Sequence, residues 1–104
     1  MLLNVFTNLD MTNSATNTIS FNGYDRVFFT ITENSYSGTL STLSFYATND
    51  NIDVLIREFN NDEISNSSSI PIGLSFRGCP NELKVVYSSG TVTSGSLSII
   101  ANII

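Results

Sequence analysis

Hydrophobic and polar residues alternate almost one by one along much of this 104-residue chain, a period that predicts strands with one buried face. The clearest case is "IPIGLSFRG": Ile70, Ile72, Leu74 and Phe76 fall on one face, and Pro71, Gly73, Ser75 and Arg77 on the other. The same reading turns Val27, Phe29 and Ile31 inward from "RVFFTIT", Leu43, Phe45 and Ala47 from "LSFYA", and Ile52, Val54 and Ile56 from "IDVLI". Nearer the C-terminus Leu83, Val85 and Tyr87 share a face, as do Leu97, Ile99 and Ala101. With "LLNVFT" and "TISF" the set comes to about eight strands, the number of a double-sheet jelly roll.

Turn signals separate these segments: "FNGYD", "ENSYSG", "TNDN", "EFNNDE", "RGCPN", "YSSGT" and "TSGS". Short turns suit antiparallel neighbours, because parallel strands need long crossovers and no helical period is present to supply them. The stretch "NNDEISNSSSIP" reads as an exposed loop, with Ile64 dipping toward the core. The expected architecture is therefore all-β: one antiparallel, jelly-roll-like β-sandwich over residues 1–104. Branched and aromatic residues set among Asn, Ser and Thr agree with it, since they pack well on a pleated surface.

Charge narrows the function. The net charge is −5 and the cations are Arg26, Arg57, Arg77 and Lys84, too few and too scattered for a phosphate-binding stripe, so no nucleic-acid partner is expected. The start, "MLLNVFTNLDMTN", has neither a positive n-region nor a long apolar h-region, and no apolar run is long enough to span a bilayer. The expectation is a chain without Sec export and without a membrane partner, which leaves the sequon Asn66-Ser67-Ser68 without weight. With one cysteine, Cys79, and no histidine, a Cys-His pair and a Ser-His-acid relay are both excluded. Cys79 reads as a small, half-buried turn residue.

One stretch gathers polar groups densely enough to suggest chemistry. "SFYATNDNID" brings Asn49, Asp50, Asn51 and Asp53 together, but without the glycine and later glutamate of a calcium loop, and Asn-Asp-Asn turns satisfy their own backbone. Glycoside hydrolysis needs two facing carboxylates, one in an apolar pocket. The candidates Asp50, Asp53, Glu58, Asp62 and Glu63 lie mostly in turns and read as solvated charges. No catalytic residue, metal ligand or cofactor site is expected. A glycan face needs only exposed aromatics and amides. Tyr24, Tyr36, Tyr46 and Phe28 fall in turns or off the main apolar parity, with Tyr24 and Tyr46 as the candidate contacts.

Off-parity apolar residues point elsewhere. Phe28, Leu55, Val86 and Ile100 lie opposite the inward set of their strands, and the tail "IIANII" adds Ile103 and Ile104. These six are the candidate interface residues, reading either as a subunit contact or as the second face of doubly buried strands.

Motif order adds a resemblance. Gly23, Tyr24 and Val27 in "FNGYDRVFFTIT", then Gly38, Thr39, Phe45, Thr48, Asn49 and Asp50 in "SGTLSTLSFYATND", and finally Leu83, Val85, Tyr87, Gly90 and Val92 in the closing hairpin follow one another in series. In that order they resemble the small β-sandwich structural proteins of tailed bacteriophages: capsid decoration, head fibre or tail-associated proteins. The likeness spans roughly residues 17–101 and rests on strand and turn residues that many sandwiches share. Where that pattern usually continues Gly-Trp, this chain has "NIDV". The resemblance implies a virion component made in the host cytoplasm. It also implies a homo-oligomer, a trimer foremost, that contacts other virion proteins such as the major capsid protein, and it carries no catalytic residue.

Overall fold

A computed structural model describes residues 1–60, 63, 70–78 and 80–104. Its eight strands are β1 (Leu2–Asp10), β2 (Ala15–Ser20), β3 (Arg26–Ser37), β4 (Thr42–Asn49), β5 (Ile52–Asn60), β6 (Ile70–Ser75), β7 (Glu82–Ser88) and β8 (Ser94–Ile103). Ile64, Asp62, Cys79 and the sequon Asn66-Ser67-Ser68 lie outside the described residues.

The pairing is nested. β4 pairs with β5, β3 with β6, β2 with β7 and β1 with β8, all antiparallel, so the chain is one long hairpin folded about the middle of the sequence. Its apex is the two-residue loop Asp50-Asn51, where both residues have positive φ (51° and 64°) and Asn49 pairs with Ile52. That backbone suits the right-handed twist of a tight hairpin, and Asp and Asn tolerate it better than most residues. Pairing of β3 with β8 and β4 with β7 rolls the hairpin into two four-stranded sheets, β1-β8-β3-β6 and β2-β7-β4-β5. This is the eight-stranded jelly roll expected from the sequence.

The core lies between the sheets. Val27, Phe29 and Ile31 of β3, Leu97, Ile99 and Ala101 of β8, Leu43 and Phe45 of β4, and Leu83, Val85 and Tyr87 of β7 are all buried, as the alternation predicts. Phe29 and Phe45 meet across the sheets, ring centroids 4.8 Å apart. Ile72 is buried, while Ile70, Leu74, Phe76 and Ala47 are half-buried at the core's margin. Pro71 lies on β6, an edge strand, where a missing N–H is tolerated.

Three expectations are corrected. Ile52, Val54 and Ile56 are not buried in the core: they are 67%, 56% and 39% exposed. β5 is the outer strand of its sheet, and the core thins toward the Asp50-Asn51 end, where Val54 lies opposite the half-buried Ala47. A bulge then leaves Ile56 unpaired between Leu55, opposite Tyr46, and Arg57, opposite Phe45. The extra residue reverses parity, so Phe59 reaches the core opposite Leu43, where unbroken alternation would have sent Glu58. Second, "ENSYSG" is no turn between strands. β3 runs on to Ser37 through an irregularity between Asn34 and Ser37, with Ser35 at φ 55°. Third, Tyr36 is buried, its hydroxyl 2.8 Å from Ser41 Oγ.

A second tyrosine hydroxyl at this end of the core is also hydrogen-bonded. Tyr87 Oη donates to the Met11 carbonyl at 2.7 Å, and Met11 is itself fully buried. Burial, with Tyr36, Glu33 and Asp10 nearby, pushes the Tyr87 phenol well above its usual range, so it stays a protonated donor. Tyr87→Phe leaves that carbonyl without its donor and is expected to lower stability by about 1–3 kcal/mol. The shift in urea midpoint at unchanged m-value measures it.

Candidate interaction surfaces

Three surfaces carry the chemistry left outside the core. The first is the edge of β5, which among the described residues pairs only with β4. Ile52, Val54 and Ile56 are joined there by Leu55, 48% exposed, so four large aliphatics crowd five consecutive positions around Asp53. The alternation pointed to the first three as core, which hid them from any surface reading.

The second is the outer face of the β1-β8-β3-β6 sheet. Phe28 pairs with Gly73 on one side and Asn102 on the other, and Ile100 lies between Asn4 and Thr30. Both are exposed. A Cβ at Gly73 would sit 3.5 Å from the Phe28 ring, so the missing side chain gives that ring its bed. Ile104 is exposed beyond the end of β8, its amide donating to the Arg26 carbonyl at 3.2 Å. Ile103 is 2% exposed and belongs to the core, not to a surface.

The third is the outer face of the β2-β7-β4-β5 sheet. Register places Val86 beside Ser44 and Thr16, and Leu55 beside Tyr46. The six candidate interface residues therefore divide among two opposite faces, a terminus and the core. They do not form one patch.

On this third face lies a shallow depression of about 280 Å³ lined by Thr18, Thr48, Asn51, Asp53, Glu82 and Lys84. Lys84 Nζ donates to Asp53 Oδ2 at 2.8 Å, Thr48 Oγ1 donates to Asp53 Oδ1 at 2.6 Å, and the Lys84 ammonium lies 5.9 Å from the Tyr46 ring centroid. The hydrogen bond from Lys84, then that from Thr48, holds the Asp53 carboxyl below its ordinary value, and the same bond raises Lys84. Both groups are solvent-accessible, which screens the pair. Its contribution is lost as pH falls through the lowered Asp53 pKa, and lost again as pH rises through the raised Lys84 pKa. In Lys84→Met, the Asp53 carboxyl is expected to titrate closer to 3.8, which carboxyl NMR reads directly.

The remaining candidates are dispersed. Tyr24 stands in the turn after β2, its amide donating to the Phe21 carbonyl at 3.1 Å and its ring 6.1 Å from that of Phe21, whereas Tyr46 lies on β4. Asn49 Oδ1 accepts from the Asn81 amide at 2.7 Å, tying the apex hairpin to the residue before β7. Glu58 accepts from Ser44 Oγ at 2.8 Å, and Glu63 from the Asn60 amide at 3.2 Å. Among the described residues, no three acidic or thiol side chains converge on a point.

No protein-family model matches the chain, and no curated protein matches it. Among solved structures, the chain is similar to the SPBc2 prophage-derived protein YomS, with a TM-score of 0.65 and 12% identity, over 100% of this chain and 92% of that one. At that identity the likeness is one of fold.

Proposed function

We propose that this protein is a structural component of a tailed bacteriophage virion: an auxiliary head protein that assembles with copies of itself and decorates the capsid. The observation that carries the reading is the exposed aliphatic edge of β5, since a small soluble domain that displays an apolar sheet edge is equipped to associate. The prophage origin of a protein with the same fold supports a phage setting, as does the series of turn and strand residues from Gly23 to Val92. Jelly rolls are a recurrent fold of viral capsid domains, an argument by analogy of fold. In this reading apolar sheet surface is covered by neighbouring subunits and the shell, while the acidic loops face water. Co-sedimentation with purified capsids of the cognate phage tests it. The protein is expected in the capsid pellet, and its complete retention in the supernatant refutes decoration.

A glycan-binding module of a fibre or adhesin is the second reading, favoured by the polar depression beside Tyr46. Jelly rolls also serve as lectin domains. Specific glycan-array binding that Tyr46→Ala abolishes would decide for it.

A further inference from the structure

The four free edges of the sandwich are unequally defended. β1 is broken by register shifts between Asn4 and Phe6 and again between Phe6 and Leu9, β6 carries Pro71, and β2 is short with Thr16, Asn17 and Thr18 at its centre. β5 spans nine residues with one bulge, at Ile56, and its Ile52–Ile56 half bears the four exposed aliphatics. An edge strand takes an extended strand as its partner, because what it leaves unpaired is a row of backbone N–H and C=O groups. We propose that this partner is β5 of a second copy. The two strands pair antiparallel about a two-fold axis normal to the sheet at Val54, joining two β2-β7-β4-β5 sheets into one of eight strands. The proposal rests on the reading that the chain assembles with itself.

Charge and parity select that centre. A two-fold normal to the sheet keeps each face on its own side, so only residues of like parity meet across the junction. Centring on Asp53 sets two carboxylates opposite each other, which is destabilising. Centring on Leu55 sets Asp53 against Arg57, but the bulge separates their faces. Asp53 lies on the outer face with Lys84, whereas the Arg57 guanidinium lies 4.8 Å from the centroid of the buried Phe59 ring. Centring on Ile56 falls on the bulge itself and sets Val54 against Glu58.

Centring on Val54 keeps the axis before the bulge, with the bulged Ile56 at the end of the paired stretch. Val54 meets Val54 and Ile52 meets Ile56 twice, so six aliphatic side chains form one stripe. That is the set which period-two alternation marks as buried and which a single subunit leaves uncovered. On the other face Asp53 meets Leu55 and keeps its own Lys84. At each end Arg57 of one copy comes alongside Asn51 of the other, next to Asp50. The same register sets Glu58 opposite Asp50, two carboxylates that the neighbouring Arg57 cation offsets, with Glu58 also held by Ser44 of its own subunit. This complementarity of the strand with itself commits the edge to a second copy.

Light scattering over micromolar to millimolar concentration is expected to show a dimer that dissociates on dilution, because five paired residues bury less than the ~1,200 Å² at the low end of stable interfaces. Val54→Lys places two ammonium groups at the axis and is expected to halve the mass at unchanged circular dichroism. In a Cys79→Ser background, Val54→Cys is expected to be trapped as a disulfide-linked dimer under mild oxidation, since residues opposed on an axis lie within disulfide reach, and Ile100→Cys is not. A trimeric mass, a dimer that survives Val54→Lys, or equal trapping at both cysteines overturns the two-fold at β5 and leaves self-assembly standing. A strict monomer at every concentration overturns the pairing as well as self-assembly, and capsid co-sedimentation then judges the decoration reading by itself.

Discussion

Phe29→Ala is expected to remove about 3–5 kcal/mol of unfolding free energy, the usual range for deleting a fully buried aromatic. Phe29 is fully buried on β3, opposite Ile72 on one neighbouring strand and Ala101 on the other, and its ring lies against Phe45 of the facing sheet. It therefore links three strands of one sheet to the other sheet. Neither Ala101 nor the half-buried Ala47 has the bulk to fill the space left behind. A loss of that size is a large fraction of the ~5–15 kcal/mol that holds a typical domain together. Urea denaturation measures it. A midpoint within error of the wild type would show that the sheets can close over the gap.

Gly90→Ala is expected to cost about 2–4 kcal/mol, for two reasons that add. Gly90 has φ +55°, a left-handed conformation that costs any side chain. A Cβ there would lie 2.3 Å from the Leu40 carbonyl oxygen and 2.4 Å from its carbon, and both are backbone atoms that cannot swing aside. The loops 37–41 and 89–93 are clamped together beside that contact. The Thr91 amide donates to the Thr39 carbonyl at 2.8 Å, and the Thr93 amide donates to the Ser37 carbonyl at 2.8 Å. Gly23→Ala separates the two causes, because Gly23 also has positive φ (86°) but nothing stands within 4 Å of its Cβ position. Its expected cost is about 1–2 kcal/mol, the conformational part alone. Equal thermal shifts for the two variants would rule out the backbone contact as a source of instability.

Much of this fold was legible along the chain because strands write their buried face in every second residue. Val27, Phe29 and Ile31, or Leu97, Ile99 and Ala101, needed no tertiary information to be placed. The apex turn was equally local, since Asn49, Asp50 and Asn51 are the residue types that accept its backbone. β3 beyond Thr32 was not legible. Asn34, Ser35 and Ser37 have the composition of a turn, and only the pairing with β8 across an irregularity keeps that segment in the sheet and Tyr36 in the core.

The candidate surface was the least legible part. Leu55 was found because it broke parity, whereas Ile52, Val54 and Ile56 obeyed parity and were assigned to a core that does not extend to them. Phe28, Ile100, Leu55 and Val86 were identified as off-parity, but their division between two opposite outer faces follows from which sheet each strand joins.

By itself, then, the sequence determined most of the strand residues outside the end of β3, most of the turns, and the apolar side of the strands up to the β5 bulge. These depend on neighbours one or two positions away. Tertiary structure alone decided which strand lies at an edge, where one extra residue reverses parity, and which apolar faces find cover. The physical reason is that alternation records a side chain's direction, whereas burial depends on what stands opposite, and along β5 of a single subunit Ile52, Val54 and Ile56 stay exposed.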